Sequence, residues 1–294
     1  VSVRERVSHR GIAGDRLGNG ESARRRSPDE ELLGAAMLVA KVDFEVQDVF
    51  AGALKAKVAG LDDARVDRAD GDFVDAVTAD GKMDTVERRG AAISSSQDKA
   101  HVDRLRAEAD AVMVGGRTLL GEDPKLTVKS EALRAERVAR GSLPNPVKVG
   151  VVTRADIQPD SDFLNAGEAR IVIFTTHSTS KAQVEFLRGR GVEVFVHASP
   201  RVDLEKALHT LKELGINRLM VEGGGALNFE LLRLGLADEL TMYVAPMIFG
   251  GESAPTAAAG SGVARGAAIP LKLVHSQVHA DGGVVLQYQV ERSK

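Results

Sequence analysis

Residues Asn217–Gly251 read NRLMVEGGGALNFELLRLGLADELTMYVAPMIFGG. A short apolar run, Leu219–Val221, meets Glu222 and then three glycines, Gly223–Gly225. Leu227, Leu231, Leu232 and Leu234 follow at helical spacing, and Leu240–Ala245 is a second strand-like run. The glycines therefore fall where a strand ends and a helix begins. Glycine there allows close backbone approach to a ligand, and the first N–H groups of a helix have no partner within it. Those groups and the helix dipole favour an anion such as phosphate. Glu222 stands at the mouth of the same turn. The triplet is neither a G-x-G-x-x-G fingerprint nor a Walker loop, since no Lys-Ser/Thr pair follows. A tight turn without a ligand is the competing reading of this motif alone.

Outward from this stretch, strand-like runs recur at Phe73–Val77, Ala111–Val114, Val147–Val152, Ile171–Phe174, Val192–Val196, Leu271–Ser276 and Val284–Val290. Helical patterns at Ser96–Ala109, Ser130–Arg140, Ser180–Arg190, Asp203–Leu214 and Asn228–Leu234 separate several of them. Ser180 and Asp203 are N-cap types, and Gly191 and Gly215 stand where helices stop. This alternation predicts a three-layer α/β fold, with a mainly parallel sheet and helices on both faces. The last two runs lack a helix between them and predict an antiparallel hairpin turned at Asp281-Gly282-Gly283. Ligands of such sheets collect at the C-terminal strand ends.

The chain has 294 residues, 43% of them hydrophobic, a net charge of −3 and no cysteine. Disulfides, thiolate metal sites and a cysteine nucleophile are excluded, and the charge argues against general nucleic-acid or membrane-surface binding. No apolar run reaches the length of a membrane span, so a cytoplasmic enzyme is the expectation. The seven histidines are scattered, His275 and His279 alone standing four apart, and no metal site is expected. Residues 1–72 are charged and Gly-containing, with Arg24–Arg26 in a row, and read as a disordered or loosely packed extension before a regularly patterned unit at 73–294.

Three further stretches carry candidate chemistry. Thr78–Met83, TADGKM, turns at Asp80-Gly81 and holds Lys82 near a strand end. Val112–Val128, VMVGGRTLLGEDPKLTV, ends a strand in Gly115-Gly116 and offers the Thr118 hydroxyl. Arg106 precedes that strand and Lys129 follows the stretch, two cations that suit a phosphate. Thr153 and Thr175-Thr176 place hydroxyls at further strand ends.

Together, TADGK, ISS, LRAEADAVMVGGRTLLGEDPKLTV, VEGGGALN and GLADELTMYVAPMIFGG resemble the riboflavin-biosynthesis reductases, from about Phe73 to the C-terminus. This family includes the reductase domain of the bacterial bifunctional deaminase-reductase and stand-alone archaeal and fungal enzymes. The resemblance implies a dihydrofolate-reductase-like fold, NADPH as cofactor, a homodimer, and a phosphoribosylamino-pyrimidine substrate reduced to its ribitylamino form. It places cofactor contacts on Thr118, Glu122, Thr153 and the run Gly223, Gly224, Gly225, Ala226 and Leu227. For a 2′-phosphate it assigns no arginine, and Arg154 and His177 are candidates by position alone. It places substrate contacts on Arg106, Leu126, Lys129 and Glu222. Glu222, Lys82 and Asp80 are the candidates for proton handling or substrate hydroxyl binding, with hydroxyl binding favoured for Glu222.

The sequence departs from the family pattern at Glu122 (usually Asp), Val152 (Asp), Thr153 (Ser) and Gly90 (Ser). An Asn common on the first strand appears as Asp75. The zinc deaminase domain of the bifunctional enzymes needs a His/Cys-Cys cluster. Without cysteine, the expectation is the stand-alone type acting before deamination, on 2,5-diamino-6-ribosylamino-4(3H)-pyrimidinone 5′-phosphate. The alternatives are the deaminated pyrimidine, a dihydropterin, or a non-catalytic nucleotide-binding module.

Overall fold

The computed structural model describes residues 70–291, which lie in the compact unit Leu61–Lys294. Nine strands form one sheet: β1 Asp70–Thr78, β2 Ala111–Gly115, β3 Val147–Val151, β4 Ile171–Thr176, β5 Glu193–His197, β6 Arg218–Val221, β7 Glu239–Ala245, β8 Leu271–Val278 and β9 Val284–Val290. The helices are α1 Ser96–Glu108, α2 Gly116–Glu122, α3 Glu131–Ala139, α4 Asp162–Asn165, α5 Lys181–Gly189, α6 Leu204–Glu213 and α7 Gly225–Arg233. The strand order is β5-β4-β3-β2-β6-β1-β7-β9-β8. Pairings from β5 to β7 are parallel, and β9 runs antiparallel to both β7 and β8. The α/β class and the closing hairpin are thus as the sequence predicts. Of the expected extension, only Asp70–Asp72 falls among the described residues; these open β1 and pair with Arg218–Met220.

Period-two alternation sorts each central strand between two cores. Met113, Val149, Phe174 and Leu219 face one side, where Leu208 and Leu211 of α6 and Leu227 and Leu231 of α7 cover them. Val112, Val114, Ile171 and Ile173 face the other, under Leu119 of α2 and Val184 and Leu187 of α5. A strand buried on both faces reads as an unbroken apolar run, as AVMVG of β2 does. Leu211 is fully buried, so Leu211→Ala removes about 2–5 kcal/mol of stability. Ser180 and Asp203 cap α5 and α6 through side-chain oxygens that accept from Gln183 N and Lys206 N, each worth about 1 kcal/mol.

Two helices lie where the sequence reads as loop. α2 starts on Gly115-Gly116 and buries one residue, Leu119, so no apolar period marks it. α4 is a single turn whose carbonyls meet an unusual partner. Lys148, wholly buried on β3, donates from Nζ to Phe163 O (2.9 Å) and Ala166 O (2.5 Å). Burial pushes its amine down to about 8, against the pull of Asp162 and Asp123. At the far edge, β8 is almost entirely exposed.

Candidate active site

The glycine triplet joins β6 to α7 as expected. Gly223 and Gly224 have φ of +95° and +91°, values that L side chains rarely adopt. Glu222 N donates to Met113 O (2.9 Å), and Gly115 N donates to Gly223 O (3.1 Å). A Cβ on Gly224 would stand 3.5 Å from both Gly115 Cα and Thr118 Oγ1, and one on Gly115 would stand 3.2 Å from Leu227 Cβ. The strand-to-helix junctions of neighbouring β2 and β6 therefore meet backbone to backbone. The N-cap of α7, Gly224, offers no side-chain oxygen, so the first amides of the helix have no side-chain cap. Residues 256–259 cross beside this start: Ala259 N donates to Gly225 O (2.8 Å).

Beside the junction lies a cleft of about 340 Å³, bounded in part by Asp75, Met83, Ile93, Arg106, Lys129 and Glu222. Arg106, from α1, grips Glu222 with Nε to Oε1 and Nη2 to Oε2, both at 2.5 Å. The two side chains are 17% and 12% exposed. Arg106 Nη1 donates to Thr127 O (3.1 Å). Burial works against the guanidinium charge, but Glu222 more than offsets it and the pKa is raised. The bidentate fork fixes the Glu222 carboxylate in one orientation. Buried Asp103 accepts from Lys129 N (2.6 Å) and Ser130 N (2.8 Å), fixing the backbone that carries the exposed Lys129.

A second carboxyl faces this pair. Asp75, on β1, is buried, and Asn228 Nδ2 donates to its Oδ2 (2.7 Å). Burial and then the Glu222 charge push the Asp75 carboxyl up to about 7, against the Asn228 hydrogen bond. Asn228 donates from the same nitrogen to Ala257 O (2.9 Å). Asp75, Asp103 and Asn228 were not among the sequence-predicted site residues. The pattern Phe73, Asp75, Val77 on one strand face was the available sign of a buried acid.

Two groups of the expected residues come together, and the others lie apart. Glu222, Arg106 and Lys129 line the cleft. Thr118 and the run Gly223, Gly224, Gly225, Ala226 and Leu227 gather at the junction. Thr153, just beyond β3, is exposed, and its carbonyl accepts from Thr175 and Thr176 hydroxyls. Glu122 ends α2, its carboxyl raised by desolvation and the nearby Asp84. Leu126 is 2% exposed within the core at φ +49° and does not border the cleft.

Asp80 and Lys82 also stand outside the cleft lining. The Asp80 carboxylate accepts from Thr78 Oγ1 (2.5 Å), Gly250 N (2.7 Å) and Phe249 N (3.3 Å), and these bonds hold its pKa low, the Thr78 hydroxyl foremost. Lys82 bridges to Thr256 through its backbone. Arg154 pairs with Asp156. Among the described residues, no group of three or more His, Asp or Glu is placed to hold a metal ion.

Comparison with known proteins adds a family to this geometry. A 2,5-diamino-6-ribosylamino-4(3H)-pyrimidinone 5′-phosphate reductase of Methanothermobacter thermautotrophicus is 40% identical over 217 residues, covering 74% of this chain and 95% of that protein. Its namesake from Archaeoglobus fulgidus is 40% identical over 185 residues, 63% of this chain and 84% of the relative. The fold matches that of a pyrimidine reductase-like protein from Corynebacterium diphtheriae, with a TM-score of 0.66 at 19% identity over 81% of this chain and 98% of the other. It also matches RibD from Acinetobacter baumannii, with a TM-score of 0.64 at 22% identity over 77% of this chain and 59% of the other. The model of the RibD C-terminal domain matches residues 74–285, and the chain belongs to that family.

Proposed function

We propose that this protein is an NADPH-dependent reductase of 2,5-diamino-6-ribosylamino-4(3H)-pyrimidinone 5′-phosphate, forming the ribitylamino product. The observation that carries this reading is a cleft lined by the fixed Arg106–Glu222 pair and the exposed Lys129, with Glu222 next in the chain to the glycine turn that starts α7. The names of the relatives supply the substrate.

The glycine junction fits a dinucleotide. Gly223 and Gly224 leave backbone where a side chain would otherwise stand, and the helix start favours a pyrophosphate. Gly223, Gly224, Gly225, Ala226, Leu227 and Thr118 would hold the phosphates, with Thr153 and Glu122 further along the strand ends. The cofactor, when bound, supplies a hydride to the sugar carbon. Lys129 is placed for the substrate phosphate, because Arg106 already donates to Glu222 and Thr127. Glu222, held by two charge-assisted bonds, is a rigid acceptor for substrate hydroxyls. Asp80 supports the turn beyond β1 and takes no part in proton handling on this reading. The exposed edge strand β8, with Leu273, Val274 and Val278 in solvent, supports the homodimer. No described helix is long and apolar enough to cross a membrane, and a cytoplasmic location goes with this reading.

The test is loss of NADPH absorbance with the diamino compound, its deaminated counterpart and dihydrofolate, each offered separately. Fastest turnover is expected with the diamino compound. Faster reduction of the deaminated compound would move the protein to the later step. Reduction of dihydrofolate alone would overturn the substrate.

A further inference from the structure

We infer that Asp75 is the proton donor for sugar-ring opening, a role that rests on the reductase reading above. Asp75 and Glu222 border the same cleft, yet their surroundings differ sharply. Glu222 accepts from the Arg106 guanidinium on both oxygens. Asp75 instead accepts on Oδ2 from the neutral amide of Asn228. A buried carboxyl beside one gripped by a guanidinium can divide the work of acid and anion with it.

The geometry also selects the oxygen. Oδ2 receives the Asn228 N–H, so a proton on Asp75 belongs on Oδ1. Oδ1 lies toward the glycine turn, 3.2 Å from where a Cβ on Gly223 would stand. Gly223 thus leaves the proton-bearing oxygen uncovered on that side.

The proposed step balances. The C1–O4 bond of the ribosylamine breaks, and its electron pair stays on O4. O4 takes the Asp75 proton and becomes a hydroxyl, while the nitrogen lone pair forms C1=N as an iminium that keeps its N–H. Hydride from the reduced nicotinamide dinucleotide then adds to C1 and leaves a neutral amine. Asp75, now a carboxylate beside Glu222, regains a proton from solvent. The charge of Glu222 drives that recovery and steadies the iminium.

The groups facing Asp75 from neighbouring elements are Glu222 after β6 and Arg106, Lys99, Asp98 and Asp103 on α1, with Lys129 beyond. Asp75 needs its proton to act, so activity should fall as pH rises through about 7. Asp75→Asn keeps the shape and the acceptor for Asn228 but holds no transferable proton. General-acid loss predicts a kcat about 100-fold lower at pH 6, a profile without the alkaline fall, and unchanged dinucleotide affinity. Stability gives a separate readout. The folded value stands above the ordinary aspartate value of 3.8, so the wild type loses stability as pH rises from near 4 through 7. Asp75→Asn should lack that loss, and its Tm should gain several degrees on wild type between pH 5 and 8. An Asp75→Asn enzyme with wild-type kcat and the same alkaline fall overturns the inference and leaves the reductase reading intact. A wild type that reduces none of the offered pyrimidines overturns both.

Discussion

The β6–α7 junction and the turn after β1 carry similar sequence signals. Each sets an acid beside glycine at the C-terminal end of a strand: Glu222-Gly223 in one, Asp80-Gly81 in the other. Their fates differ. Asp80 folds back on Thr78, Phe249 and Gly250 and binds two loops together. Glu222 is gripped from one side by Arg106 and borders the cleft. An acid near glycine becomes a site residue only when the local backbone does not consume its acceptors. A cation arriving from a distant helix fixes such an acid and leaves it usable.

The largest effect that can break this contrast is at Glu222. Glu222→Gln should lower kcat/KM by about 100-fold or more, a loss within the range of a positioned catalytic group, with dinucleotide affinity retained. Steady-state kinetics beside a dinucleotide titration checks this, and wild-type kcat/KM would put Glu222 in the same class as Asp80. Next is Lys129→Ala. Losing a charge-assisted phosphate contact costs about 1.5–3 kcal/mol, so KM for the phosphorylated substrate should rise by roughly 10–150-fold. The dephosphorylated substrate should respond little, and an equal response to both would move the phosphate elsewhere.

Asp80→Asn should act on stability alone. The Asp80 pKa is lowered from 3.8, so its contribution is present above that pH and is lost as pH falls through the folded value. Tm at neutral pH should drop in the variant, the gap should close in acid, and kcat/KM should hold. A fall in kcat/KM with Tm unchanged would return Asp80 to the catalytic group. The smallest effect concerns residues 1–69. A chain starting at Asp70 keeps every pairing of β1 with β6 and β7 and should match the full chain in Tm and kcat/KM. Loss of soluble protein would show that the preceding segment supports the core.

The central strands were legible because both of their faces are buried and Val, Ile, Met and Leu fill them. The glycine junction was legible because Gly223 and Gly224 need positive φ, which local sequence can signal. Asp75, Asp103 and Asn228 were not, since their roles come from partners 153 and 26 residues away in the case of Asn228–Asp75 and Asp103–Lys129. No periodicity reports such pairings. Leu126, expected as a substrate contact, sits among core side chains at φ +49°, a setting that its sequence neighbours do not signal. α2 escaped notice because a helix with one buried residue leaves no repeating trace.

Lys148 has a consequence for the protein in the test tube. Its amine is wholly buried and bonded to two carbonyls of the α4 region, so an acylating reagent reaches it only when the sheet opens. Surface lysines such as Lys99 and Lys181 are exposed and should label at once. The slow appearance of label on Lys148, read by mass spectrometry of its peptide, would then clock how often this core comes apart.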